Sequence, residues 1–171
     1  MKPALLLLLI AMAACGGDGV VRSRGARPAT QDDLIKENRD AMRLEDRDID
    51  LYLQRHAIAA TTSGTGVRML LLRDEPGTAV RPEQVVAVNY RLELLNGDSV
   101  YATGEGRPES FRVEHDDVES GLHEAIQTMS AGDSAIIVIP SYRAHGLIGD
   151  LQGVPPRSSV VYRIGVVRVG R

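Results

Sequence analysis

From Val67 onward the chain reads as a succession of strands, and that reading breaks only once. Residues 67–72 form a strongly apolar run, closed by Glu75-Pro76-Gly77. Residues 85–95 form a second strand, and the Asn96-Gly97 pair beyond it is a strong hairpin signal, because both residues accept the positive φ of a tight turn. Residues 98–103 then read as the return strand, and residues 110–114 as a short strand around Phe111 and Val113. Residues 133–139 and 159–169 supply the last two. The break is residues 116–129, where Val118, Leu122, Ala125, Ile126 and Met129 repeat at helical spacing. Asp116 and Glu119 stand at capping-box spacing, and Gly132 is placed for a C-terminal stop. Strands through most of a domain with one internal helix predict an α+β fold, an antiparallel curled sheet wrapped around one short helix.

Residues 30–57 precede this region and read as a helix, within an N-terminal unit of residues 30–60. Thr30 can cap it, and Asp32 and Asp33 put negative charge where the helix dipole favours it. Leu34, Ile35, Ala41, Met42, Ile49 and Leu53 share one broad face. The spacing of Ile35, Met42 and Ile49 by seven admits weak homodimerisation through residues 30–57. Three such positions are a poor coiled-coil signal, so the expectation is one amphipathic helix that packs on its own domain or stays partly free.

The first 29 residues read as an address rather than as fold. Met1-Lys2 is followed by an apolar run with five consecutive leucines, far shorter than the roughly twenty residues that span a bilayer. Residues 1–14 therefore read as a signal peptide. Met12-Ala13-Ala14-Cys15 resembles the bacterial lipobox, which implies lipidation of Cys15 and membrane attachment through that lipid. Cys15 is the only cysteine, so it has no disulfide partner within the chain. Gly16 follows it, and resemblance to enterobacterial sorting rules then implies the outer membrane, facing the periplasm. Residues 15–29, rich in Gly and Arg, read as a flexible tether. The net charge of −3 and the lack of a Lys/Arg cluster speak against nucleic acid as a partner.

The order of short motifs in the last ninety residues is specific. Val88-Asn89-Tyr90, Leu94-Leu95-Asn96-Gly97 and Gly121-Leu122-His123-Glu124-Ala125 are followed by Ile139-Pro140-Ser141-Tyr142, Val154-Pro155-Pro156 and a closing strand. This order resembles the FKBP-type peptidyl-prolyl isomerases over residues 82–170. The resemblance implies an FKBP-like domain over residues 64–171, proline-containing polypeptides as partners, and no cofactor or metal. Rotation about a peptide bond faces a barrier of ~18–20 kcal/mol held up by amide resonance. A pocket lowers it by gripping the proline ring and favouring the twisted amide over either planar form, so no nucleophile is needed. His56, His115, His123 and His145 show no metal-ligand pattern.

The resemblance also implies the pocket, position by position. Tyr90 matches a tyrosine on the second strand, and Val118 matches the apolar residue before the helix. Val154 matches the apolar residue before the Pro-Pro pair, Tyr162 matches an aromatic on the last strand, and Phe111 sits on the strand that supplies a wall. Ordinary core packing would account for each of these five as well. Leu122 stands where the family has its floor tryptophan, and the chain has no tryptophan at all. Val100-Tyr101 stands for a Phe-Asp pair, losing a wall and an acidic hydrogen-bond partner, and Glu109 stands for an outer phenylalanine. Glu119 stands for an apolar residue whose backbone N–H could bind a substrate carbonyl. His145 replaces a tyrosine that donates a hydroxyl bond, and a neutral imidazole can donate one N–H in its place. Two readings follow: a weak isomerase assisting the folding of envelope proteins, and a non-catalytic FKBP-like binding or assembly lipoprotein.

Overall fold

The computed structural model describes residues 30–115 and 118–170. The signal peptide, the tether, Cys15 and Asp116 lie outside the described residues. Helix α1 (Gln31–Arg55) is followed by strands β1 (Thr61–Thr62), β2 (Arg68–Arg73), β3 (Val85–Leu94), β4 (Ser99–Ala102) and β5 (Glu109–Arg112). Helix α2 (Ser120–Ile126), strand β6 (Ser134–Ile139), a 3₁₀ turn (Ser141–Arg143) and strand β7 (Val160–Val169) complete the order. The strands form one seven-stranded antiparallel sheet in the order β1-β2-β6-β7-β3-β4. The outer edge of β3 is shared, with β5 along its first half and β4 along its second. The Asn96-Gly97 hairpin joins β3 to β4, with Gly97 at φ 94°.

The continuous apolar run of β6 shows why the sheet is covered on both faces. Ala135, Ile137 and Ile139 join the α2 core with Val86, Val88, Leu92, Ile126, Met129 and Ile164. Ile136 and Val138 point the other way, where Ile49 and Tyr52 of α1 cover them together with Val161. A strand buried on both faces has no polar alternation, which is what the Ala135-Ile136-Ile137-Val138-Ile139 run displays. Full burial of a side chain such as Ile49 is worth roughly 1.5–3 kcal/mol, so α1 is held chiefly by its C-terminal half. The heptad-spaced series is divided accordingly: Ile49 is fully buried against its own sheet, while Ile35 and Met42 are 47% and 42% exposed.

Polar contacts fix the register of α1. Glu45 accepts from the Ser141 N–H at 2.5 Å and from the hydroxyls of Ser141 and Ser159 at 3.0 and 2.5 Å. Arg68, buried at the start of β2, pairs with Asp46 at 2.9 Å and Asp50 at 3.6 Å. This inverts the expectation for the apolar run 67–72. The arginine is inside because α1 brings two carboxylates to it, while Leu71 and Leu72, near the end of β2, are exposed.

Two expectations for the internal helix need correction. Its seven residues are half the span expected from 116–129, and Val118 precedes it. Met129 keeps helical spacing but lies in the turn after the helix, its N–H bonding the Ile126 carbonyl. Gly132 is not the helix stop: at φ 98° it forms the tight entry into β6, with its N–H on the Val166 carbonyl. Gly121 explains how so short a helix packs closely. A Cβ there would stand 2.4 Å from Ile139 Cγ2 and 3.2 Å from the Arg143 carbonyl oxygen.

Candidate functional site

Eight of the ten residues expected around a pocket share the α2 core, and Glu119 and His145 stand beside it through Tyr162. Phe111, Leu122, Val154 and Tyr162 are buried there, and Tyr90, Val100, Tyr101 and Val118 pack against them partly exposed. Tyr162 lies opposite Leu92 across the β3–β7 ladder, two residues from Tyr90, and this diagonal places the two tyrosine rings 5.5 Å apart at 55°. Leu122 is 4% exposed and lies in the first turn of α2, where the resemblance expects the floor. Phe111 stands edge-on to His123, with ring centroids 5.7 Å apart.

The polar half of the site was less legible. Glu119 is the N-cap of α2, yet its side chain caps nothing. Its side chain is only 7% exposed, Oε1 accepts from the Tyr162 hydroxyl at 2.7 Å, and His145 Nε2 stands 2.8 Å from the same oxygen. Sequence reasoning had considered only the backbone N–H of Glu119. The Tyr162 hydroxyl is pushed far up, first by burial and then by the Glu119 charge and hydrogen bond.

Glu109 has a comparable role on Tyr90. The Tyr90 hydroxyl donates to Glu109 Oε2 at 3.0 Å, and burial together with that bond and charge pushes it up to about 12. The acidic partner lost at Tyr101 is thus supplied from β5, by the residue that stands for an outer phenylalanine. Both tyrosines are neutral O–H donors at neutral pH.

Tyr101 has a different task. Its hydroxyl donates to the Asp150 carboxylate and accepts from the Gly153 N–H at 3.2 Å. The other Asp150 oxygen gathers the N–H groups of Gln152, Gly153 and Val154 at 2.8–2.9 Å. This loop is pressed so closely on β4 that a Cβ at Gly153 would stand 2.4 Å from Val100 Cγ1. Tyr101 and Asp150 thus hold the loop that carries Val154 into the core. Asp150 went unread in the sequence, although Asp150-Leu151-Gln152-Gly153 has Asx-turn composition.

That latch has an acid limit. Against a desolvation penalty, the Tyr101 bond and the three backbone N–H groups hold the Asp150 carboxyl far below the usual range. Its folded value is depressed, so its stabilisation is present above the unfolded carboxyl value near ~3.9 and is lost as pH falls toward the folded one. Near-UV circular dichroism, which here reports five tyrosines and no tryptophan, should show the Tyr101 environment loosening below about pH 4. Asp150→Asn should already be loosened at pH 7. Coincident signals for the two proteins across that range would refute the latch.

Comparison with known proteins agrees with this geometry. The sequence pattern of the family described as FKBP-type peptidyl-prolyl cis-trans isomerase matches residues 77–167. FkpA of Escherichia coli (strain K12) is 33% identical over 111 residues, which is 63% of this chain and 39% of that protein. The chain thus spans about two-fifths of the length of that relative. The crystal structure of E. coli FkpA superposes with a TM-score of 0.66 at 27% identity, covering 81% of this chain and 64% of that one. A peptidyl-prolyl cis-trans isomerase structure from Pseudomonas syringae pv. tomato gives a TM-score of 0.65 at 25% identity, covering 78% and 96%. The matched span takes in the paired tyrosines, the short helix and the sheet that curls around it, and the chain belongs to the FKBP-type peptidyl-prolyl cis-trans isomerase family.

Proposed function

We propose that this chain is a weak peptidyl-prolyl isomerase acting on proline-containing polypeptides of the cell envelope. The observation that carries this reading is the Tyr90–Tyr162 pair, 5.5 Å apart over buried Leu122 and Val154. An aromatic and aliphatic cage of this kind holds a proline ring away from water. Loss of amide resonance is easier there than in water, because the twisted amide is the less polar form. Tyr90, Val118, Leu122, Val154 and Tyr162 enclose the ring. Val100, Tyr101 and Phe111 back them, and the Glu119 N–H binds the substrate carbonyl. His145 Nε2 stands 2.8 Å from the Glu119 carboxylate, so a substrate carbonyl would compete with that carboxylate for it. The test is the isomerisation rate of a proline tetrapeptide series against concentration of the purified full chain. A positive slope is expected. A slope of zero for every residue before proline, with the fold intact, would defeat the reading and leave a non-catalytic binding module.

The remaining parts extend the same proposal. Residues 1–14 are removed, residues 15–29 tether the protein from lipidated Cys15, residues 30–60 carry the helix and residues 64–171 carry the isomerase unit at the outer membrane. Among the described residues no helix is long and apolar enough to cross a membrane. Cys15→Ser should abolish fatty-acid labelling and move the protein out of the membrane fraction. A mutant that stays membrane-bound, beside a wild type without lipid, would refute the anchor. Weak homodimerisation through residues 30–57 is supported by Leu34, Ile35, Met42 and Leu44 of α1, which are 42–55% exposed. Sedimentation equilibrium should show it weakening in Ile35→Asp, and a strictly monomeric wild type would exclude it.

A further inference from the structure

We propose that the pocket selects prolines flanked by a basic residue, Lys or Arg, and that Glu109 at its rim reads that charge. This rests on the isomerase reading and deepens it by naming the substrate class.

The inference comes from where the two tyrosine hydroxyls point. Each ends on a carboxylate: Tyr90 on Glu109 at 3.0 Å and Tyr162 on Glu119 at 2.7 Å. Both negative charges reach both rings, since Glu109 and Glu119 each push up both hydroxyls. The nearby arginine Arg143 is engaged elsewhere, on Glu124 at 2.9 Å. His145 stands 2.8 Å from Glu119, and among the described residues no other ion pair involves either carboxylate. A cleft of one sign with low-dielectric walls raises the local concentration of the opposite charge.

The two carboxylates differ in what they can do. The Glu119 side chain is 7% exposed and accepts from Tyr162, with His145 beside it at 2.8 Å. Glu109 is exposed at the first residue of β5. It spends one oxygen on Tyr90, and a carboxylate offers about four lone-pair sites. A residue next to a proline held against Tyr90 begins ~3.8 Å along the chain, so a Lys or Arg stem reaches this rim. A Glu at the same place would meet like charge. An apolar side chain would gain nothing from Glu109.

The experiment uses the purified full chain and four peptides that differ only in Lys, Arg, Leu or Glu before proline. At low salt, kcat/KM for the Lys and Arg peptides should exceed that for the Glu peptide by about tenfold. Raising the ionic strength should shrink the ratio, because a rim charge is screened. Glu109→Gln, which keeps an acceptor for Tyr90, should bring the ratio toward one. A Glu peptide turned over as fast as the Lys peptide would overturn the inference, as would a ratio unmoved by Glu109→Gln. If no peptide is turned over, the isomerase reading fails, and NMR titration with the same peptides decides the charge preference separately. Tighter binding of the Lys than of the Glu peptide, lost in Glu109→Gln, would sustain it; equal binding would overturn it.

Discussion

Ile126→Ala is expected to lower the unfolding free energy by roughly 2–5 kcal/mol. Ile126 is fully buried, the last residue of α2, and lies in the core formed by α2 and the concave face of the sheet. Removing three carbons there takes away transfer free energy and leaves a cavity, because neighbours such as Ile137 and Val86 are held in a paired sheet and cannot follow. Urea unfolding followed by far-UV circular dichroism measures it, with the midpoint moving and the slope preserved. A change of a few tenths of a kcal/mol would mean that α2 does not pack as described.

Tyr90→Ala is expected to lower kcat/KM for a proline peptide roughly ten- to hundredfold. A large apolar contact is worth about 1.5–3 kcal/mol, and each ~1.4 kcal/mol is tenfold in rate. The fold should survive, because Tyr90 is only partly buried and sits at the edge of the core. Stopped-flow isomerisation with a parallel thermal melt separates the two effects. An activity within twofold of wild type in a folded variant would remove Tyr90 from the site. Tyr162 is a less clean test, since at 5% exposure it is also core.

The two predictions draw on different levels of legibility. Ile126 could be placed from spacing, because a residue four positions from Leu122 must share its helix face. The length of that helix could not. Val118 and Met129 keep the helical period, but the chain turns at both, and a period records which face a residue would take, not whether the backbone continues. Motif order singled out Tyr90, Val154 and Tyr162, which share the α2 core, with the two tyrosine rings in contact. The direction of Glu119 was not legible. At φ −60° and ψ 136° its backbone aims the carboxylate away from the helix end, toward partners 26 and 43 positions further along the chain.

The same division runs through the whole protein. Local chemistry along the chain determined six of the seven strands (not β1), the Asn96-Gly97 hairpin, the Thr30 cap of α1 and the existence of one internal helix. Those features depend on residues within a few positions of one another, where propensity, turn conformation and period act. Tertiary structure alone decided that Arg68 would be buried, that Glu45 would bind Ser141 and Ser159, and that Ile49 would face the sheet rather than a second helix. It also decided that the Tyr90 and Tyr162 hydroxyls would each end on a carboxylate, and that the Glu119 side chain would be buried. A buried charge is tolerated only where distant donors meet it, and no local pattern records which distant residues will be there.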